Sequence, residues 1–175
     1  IAVGRDGRLT SPALSEAMLR GLSEAGCRVA DLGLGPTPMT YYAAYSHELS
    51  GCIMITGSHN PVDYNGFKMV LDGKSFYGDD IIELGQIAAK GDFESGEGDV
   101  DTLDVRREYA ACVAEAFEED NERTLKVAWD CGNGAAGDVL SLILKTLPGE
   151  HEVLFGEIDG NFPNHHPDPT IPANL

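Results

Sequence analysis

Along the first third of the chain, short apolar runs with β-branched character alternate with helical signals. That alternation restricts the fold more than any other feature. Ile1 to Val3 reads as a strand already under way. Ser11-Pro12 then marks a helix start, with Ser11 as N-cap and Pro12 in the first helical position. Leu14, Met18 and Leu22 recur at i, i+4 and i+8, and Gly26 stands where a C-terminal cap belongs. "CRVADLG" is a second strand, Thr37-Pro38 opens a second helix through "MTYYAAYSHE", and "GCIMITG" is a third strand. The order β-α-β-α-β predicts an α/β fold with a mainly parallel sheet covered by helices and ligands near the carboxyl ends of its strands.

"NGFKMVL" and "KSF", joined at Asp72-Gly73, add two strands through a tight turn and make the sheet mixed. Asp79-Asp80 open a helix through "IIELGQIAAK", and the acidic, glycine-rich "GDFESGEGDVDT" reads as a loop. "DVRREYAACVAEAFEED" has helical spacing and closes a first domain over residues 1–122. "LKVAWD", "CGNGAAG", "DVLSLILKTL" and "HEVLFGEID" then repeat the plan of strand, glycine-rich turn, helix and strand. Residues 123–175 therefore read as the incomplete beginning of a second, similar α/β domain. A further helix is expected to begin at "TIPANL", and both ends of the chain look cut.

Charge narrows the partners. Asp and Glu number 29 against 12 Lys and Arg, a formal net charge of -17, so a phosphate backbone is repelled and nucleic acid is not expected as a partner. Cations that gather, as Arg5 and Arg8 do, are informative in such a field. Cys27, Cys52, Cys112 and Cys131 form no C-x-x-C pair, which suggests reduced, mostly buried thiols and a cytoplasmic protein. No apolar run approaches the roughly 18 residues of a membrane span, so no membrane partner is expected.

The third strand runs into "ITGSHNP", Ile55 to Pro61. A turn needs Gly57 and Asn60-Pro61, but not a hydroxyl and an imidazole side by side. Ser58 could simply cap the next segment, and surface ion pairs explain each nearby cation taken singly. Taken together, Arg5 and Arg8 after the first strand, Ser58 and His59 after the third, and Lys68 in "NGFK" converge on one sheet edge. No Ser-His-Asp ordering for peptide hydrolysis is evident. A serine oxygen flanked by cations suits phosphoryl transfer, where positioning and charge neutralisation carry most of the catalysis.

Other motifs are weaker. "GNGAAG" has only part of the dinucleotide-binding spacing, and its glycines serve a tight strand-to-helix turn. His165 and His166 beside Asp159 and Asp168 suggest metal ligands, but adjacent side chains in an extended, proline-rich segment point apart, which favours a rigid connector.

"TGSHNP" resembles the phosphoserine loop of the α-D-phosphohexomutases, "VGRDGRLTSP" their first-domain arginine motif, and "NGFK" the segment after the loop. "DCGNGAAG" and "DGNFPNHHPDPTIPANL" resemble their second domain, in the phosphomannomutase/phosphoglucomutase branch. The resemblance implies interconversion of hexose 1- and 6-phosphates of mannose, glucose or both through a phosphorylated Ser58 and a hexose 1,6-bisphosphate. It gives Lys68 a role in proton transfer or charge stabilisation, His59 and Asn60 a role in shaping the loop, and Arg5 and Arg8 a role in holding the loop and its phosphate. It also implies Mg²⁺, with an oxygen of the Ser58 phosphate as one ligand. The family's aspartate-rich metal loop, sugar-recognition segment and last phosphate-binding loop are expected beyond Leu175, which makes this chain the inactive N-terminal part of a four-domain enzyme. The alternative is a non-catalytic α/β binding or scaffold module that keeps these motifs only as turns.

Overall fold

The computed structural model describes residues 1–117 and 125–174. Its elements run β1 (Ala2–Arg5), α1 (Ser11–Glu24), β2 (Val29–Leu34), α2 (Thr37–Ser46), β3 (Gly51–Ile55), β4 (Phe67–Leu71), β5 (Lys74–Ser75), α3 (Asp79–Lys90) and β6 (Val100–Thr102). Then follow α4 (Arg106–Glu115), β7 (Lys126–Asp130), α5 (Gly137–Ile143), β8 (Glu150–Leu154) and a 3-10 turn at Pro172–Asn174. The first sheet has the order β5-β4-β3-β1-β2-β6. β2 and β3 flank β1 in parallel, β6 joins β2 in parallel, and β4 and β5 add antiparallel edges. This is the mixed, mainly parallel sheet that the alternation implies. β7 and β8 pair in parallel around α5 and begin a second α/β unit.

Strand alternation sends Ala2 and Val3 to opposite faces of the sheet. Val3, Val29 and Ile55 pack under Leu14, Met18 and Leu22 of α1, the three positions whose spacing marked the helix. Ala2, Leu32, Met39 and Cys52 form the other cluster with Val105 and Ala110, and Val139 of α5 joins them. α4 thus bridges the two units, and its Tyr109 ring lies 5.6 Å from that of Tyr42 on α2. The expected boundary at 122/123 lies outside the described residues, as do Leu175 and the last residues of the helix expected through Asp120.

Four local expectations need correction. Ser11 is the first residue of α1 rather than its cap; Thr10 holds the cap position, and the Ser11 hydroxyl donates to Asp6. The loop-like acidic stretch contains β6, because Val29 N–H donates to Asp99 and Leu103 N–H to Asp31, and two such bonds recruit an edge strand whatever its composition. Its glycines have a separate cause: a Cβ on Gly96 would lie 2.8 Å from Gly26 Cα, so the chain passes too close to the end of α1 for any side chain. The expected C-terminal helix is a single 3-10 turn. All four cysteines are free, but only Cys52 is fully buried, and Cys112 is exposed. Among the described residues no helix is long and apolar enough to cross a membrane.

Candidate active site

β1 and β3 are adjacent and parallel, so the loops leaving their carboxyl ends meet. The first, Asp6 to Arg8, organises the second. The Arg8 side chain is fully buried, and all its terminal donors are engaged by main-chain carbonyls of the serine loop. Nη1 donates to Pro61 at 2.6 Å and Tyr64 at 3.0 Å, and Nη2 to Ser58 at 3.0 Å and Asn60 at 2.8 Å. Nε lies 3.3 Å from Asp6 Oδ2, a charge contact without hydrogen-bond alignment. Asp6 in turn accepts from Gly57 N–H at 3.2 Å, Arg8 N–H at 3.0 Å and the Ser11 hydroxyl. Gly57 has no side chain because the Arg8 guanidinium and the Tyr64 carbonyl occupy the space a Cβ would need.

Ser58 sits at φ 53°, a left-handed conformation that few non-glycine residues adopt. Its N–H donates to Thr56 Oγ1 at 2.9 Å, and its carbonyl is one of those held by Arg8. The result is a tight, over-determined turn that leaves the hydroxyl exposed. Lys68 lies on β4 opposite Met54 of β3, and its Nζ reaches to 3.4 Å from Ser58 Oγ. Asn65 ties the "NGFK" segment to the start of α1 by donating to Ser11 Oγ and Thr10 Oγ1. Asn60 closes the turn by donating to the Gly57 carbonyl at 2.9 Å. His59 reaches the second unit, where its Nδ1 donates to the Pro167 carbonyl at 2.7 Å. Arg5 stands apart: among the described residues its side chain donates only to the Asp6 carbonyl, at 3.4 Å.

Both units line a cavity of about 560 Å³ that Ser58, His59 and Lys68 face together with Asp130, Phe162 and His165. The sequence marks His165 only as a candidate metal ligand, and Asp130 and Phe162 only as members of the motifs "DCGNGAAG" and "DGNFPNHHPDPTIPANL". Asp130 pairs with a residue far along the chain, and Phe162 is an ordinary aromatic until the turn beneath it is known. His165 donates through Nδ1 to the His166 carbonyl at 3.0 Å and through Nε2 to Asp130 at 3.0 Å. Both ring nitrogens therefore face acceptors, which favours the imidazolium. The His166 carbonyl first and the Asp130 carboxylate second hold the His165 pKa above its ordinary value. Stability from this contact is therefore present below about pH 6.5 and is lost as pH rises through the raised value. NMR titration should give a midpoint above about 6.5, lowered but not fully restored by Asp130→Asn; a parent midpoint at or below 6.5 would refute the pairing.

The donor set does not fit a Mg²⁺ shell by itself. Among the described residues no three His, Cys, Asp or Glu side chains converge on one point. Asp159 and Asp168 accept from Asn161 and Thr170 in local turns instead.

Residues 1–95 match the phosphoglucomutase/phosphomannomutase alpha/beta/alpha domain I, and residues 107–175 match domain II of the same family. The chain belongs to the phosphoglucomutase/phosphomannomutase family. It is 43% identical over 175 residues to a phosphomannomutase/phosphoglucomutase of Pseudomonas aeruginosa, covering 100% of this chain and 37% of that protein. It is 44% identical over 177 residues to a phosphoglucomutase of Neisseria gonorrhoeae, covering 100% of this chain and 38% of that protein. A solved phosphoglucomutase/phosphomannomutase family protein of Burkholderia thailandensis superposes with a TM-score of 0.91 at 45% identity, over 99% of this chain and 39% of that one. This family chain thus spans little more than a third of its curated relatives' length.

Proposed function

We propose that the chain supplies the phosphoserine part of a mutase that interconverts hexose 1-phosphate and hexose 6-phosphate, of mannose, glucose or both. The observation that carries this reading is the Ser58 hydroxyl, held out by a left-handed turn at the carboxyl edge of the sheet, with Lys68 Nζ 3.4 Å away. In the first transfer the bond between Ser58 Oγ and phosphorus breaks as a sugar hydroxyl bonds to phosphorus, the hydroxyl's proton passing to a base and the serine oxygen taking up a proton. In the second a sugar oxygen–phosphorus bond breaks as Ser58 Oγ bonds to phosphorus, and the proton moves the other way. The hexose 1,6-bisphosphate formed in the first turns round and returns its other phosphoryl group to Ser58. Lys68 neutralises charge as it shifts between the serine and sugar oxygens, an effect strongest in the transition state. His59 and Asn60 shape the turn and Arg8 fixes it. An oxygen of the Ser58 phosphate would be one ligand of a Mg²⁺ ion, which would neutralise phosphate charge, and its carboxylate ligands would come from outside these residues. The reaction takes place in the cytoplasm.

Intact mass spectrometry of the purified chain, before and after exposure to a hexose 1,6-bisphosphate, tests the reading. One phosphoryl group mapped to Ser58 is expected, with no sustained interconversion of glucose or mannose 1-phosphate in phosphorus NMR. Sugar positioning can be worth roughly 7–11 kcal/mol of the barrier, and these residues do not supply it. Ser58 that never carries phosphate favours a scaffold module.

A further inference from the structure

Arg8 lies between two strained turns. On one side is the serine loop. On the other is the turn Asp159–Phe162 of the second unit, where the Asp159 carbonyl accepts from Phe162 N–H at 3.0 Å and Phe162 itself sits at φ 48°. Two non-glycine residues in left-handed backbone, Ser58 and Phe162, thus flank one buried guanidinium. The Phe162 ring centroid is 5.2 Å from Arg8 Cζ, within range of a cation–π contact. Gly160 lets this turn lie directly on the Arg8 main chain: a Cβ there would be 2.9 Å from both Arg8 Cα and Leu9 N. The His59 bond to Pro167 fastens the serine loop to the same segment of the second unit.

We infer that Phe162 is a positioning residue for the Ser58 turn, acting through Arg8. Its ring lies over the guanidinium, 5.2 Å from Cζ, excludes water from that face, and so keeps the four hydrogen bonds to Ser58, Asn60, Pro61 and Tyr64 in place. A guanidinium open to water exchanges those carbonyls for solvent, and the left-handed Ser58 conformation then loses the contacts that enforce it. The serine is therefore aimed by the second unit as well as the first. The importance of this aim rests on Ser58 being the phosphoryl carrier; the contact itself does not.

The test is amide hydrogen exchange, read by mass spectrometry and NMR on the purified chain, for the parent and for Phe162→Leu, Phe162→Met, Phe162→Tyr and Phe162→Trp. The aliphatic variants should exchange the amides of residues 57–64 about tenfold faster, while those of β1 and β3 stay at the parent rate. The aromatic variants should restore the parent rate, which space-filling alone does not predict. The Arg8 Nε proton supplies a spectroscopic check: shielded by the ring in the parent and the aromatic variants, it should move downfield with Leu or Met. If the Leu variant exchanges like the parent, or if Tyr and Trp fail to restore protection, the positioning role is overturned. No substrate is needed, so a failed phosphoryl-transfer reading leaves this result standing, and the reverse also holds.

Discussion

Replacing Ser58 by alanine should remove the phosphoryl acceptance proposed for the chain and leave the fold in place. Among the described residues the exposed hydroxyl has one hydrogen bond, from Lys68 at 3.4 Å, so its loss should cost no more than about 0.5 kcal/mol. The turn survives because its main-chain bonds to Arg8 and Thr56 do not involve Oγ. Chemically the loss is total, since no other hydroxyl occupies the tip of this turn and a methyl group forms no phosphoester. With labelled hexose 1,6-bisphosphate, the parent should take up label at Ser58 and the variant none, with superimposable circular dichroism and thermal midpoints. In a full-length enzyme carrying this sequence, turnover within about tenfold of the parent, a barrier change of only ~1.4 kcal/mol, would remove Ser58 from the nucleophile role.

Much of this arrangement is legible in the sequence because it depends on local patterns. Leu14, Met18 and Leu22 announce the buried face of α1, and β-α-β alternation sends the loops after β1 and β3 to one edge of the sheet, while the strand order that sets them side by side is not encoded in it. The sequence brings Lys68 only to the same sheet edge as Ser58; that the two meet follows from the antiparallel pairing of β4 with β3, which returns Lys68 to the end of β3. Patterns of this kind are silent where burial or a distant partner decides. Val100 to Thr102 has the composition of a loop and becomes β6 because β2 offers an open edge. Ser11 has the spacing of a cap, but Asp6 draws its hydroxyl inward. Spacing brings Arg8 to the site without saying that its guanidinium turns inward to carbonyls. The contact of Phe162 with Arg8 joins separate units, that of His165 with Asp130 joins distant turns of the second unit, and no local periodicity encodes either.

Arg8→Leu should have the larger structural effect. It removes donors from four carbonyls at once and leaves Asp6 without its cationic neighbour in a site where that carboxylate is largely buried. Carbonyls near the surface recover part of the loss by binding water, so the expected cost is about 3 kcal/mol rather than the full sum of the bonds. Arg8→Lys separates charge from geometry. An ammonium keeps the attraction to Asp6, but its donors radiate from one nitrogen and cannot reach Ser58 and Asn60 on one side and Pro61 and Tyr64 on the other. Lysine should therefore recover some global stability while leaving the amides of residues 57–64 as poorly protected as in the leucine variant. Urea unfolding with an unchanged m-value reads the first quantity, and hydrogen exchange the second. A leucine variant within about 0.5 kcal/mol of the parent would mean that the loop holds its shape without the guanidinium. Full protection in the lysine variant would mean that charge alone, not the planar fork, sets the direction in which Ser58 points.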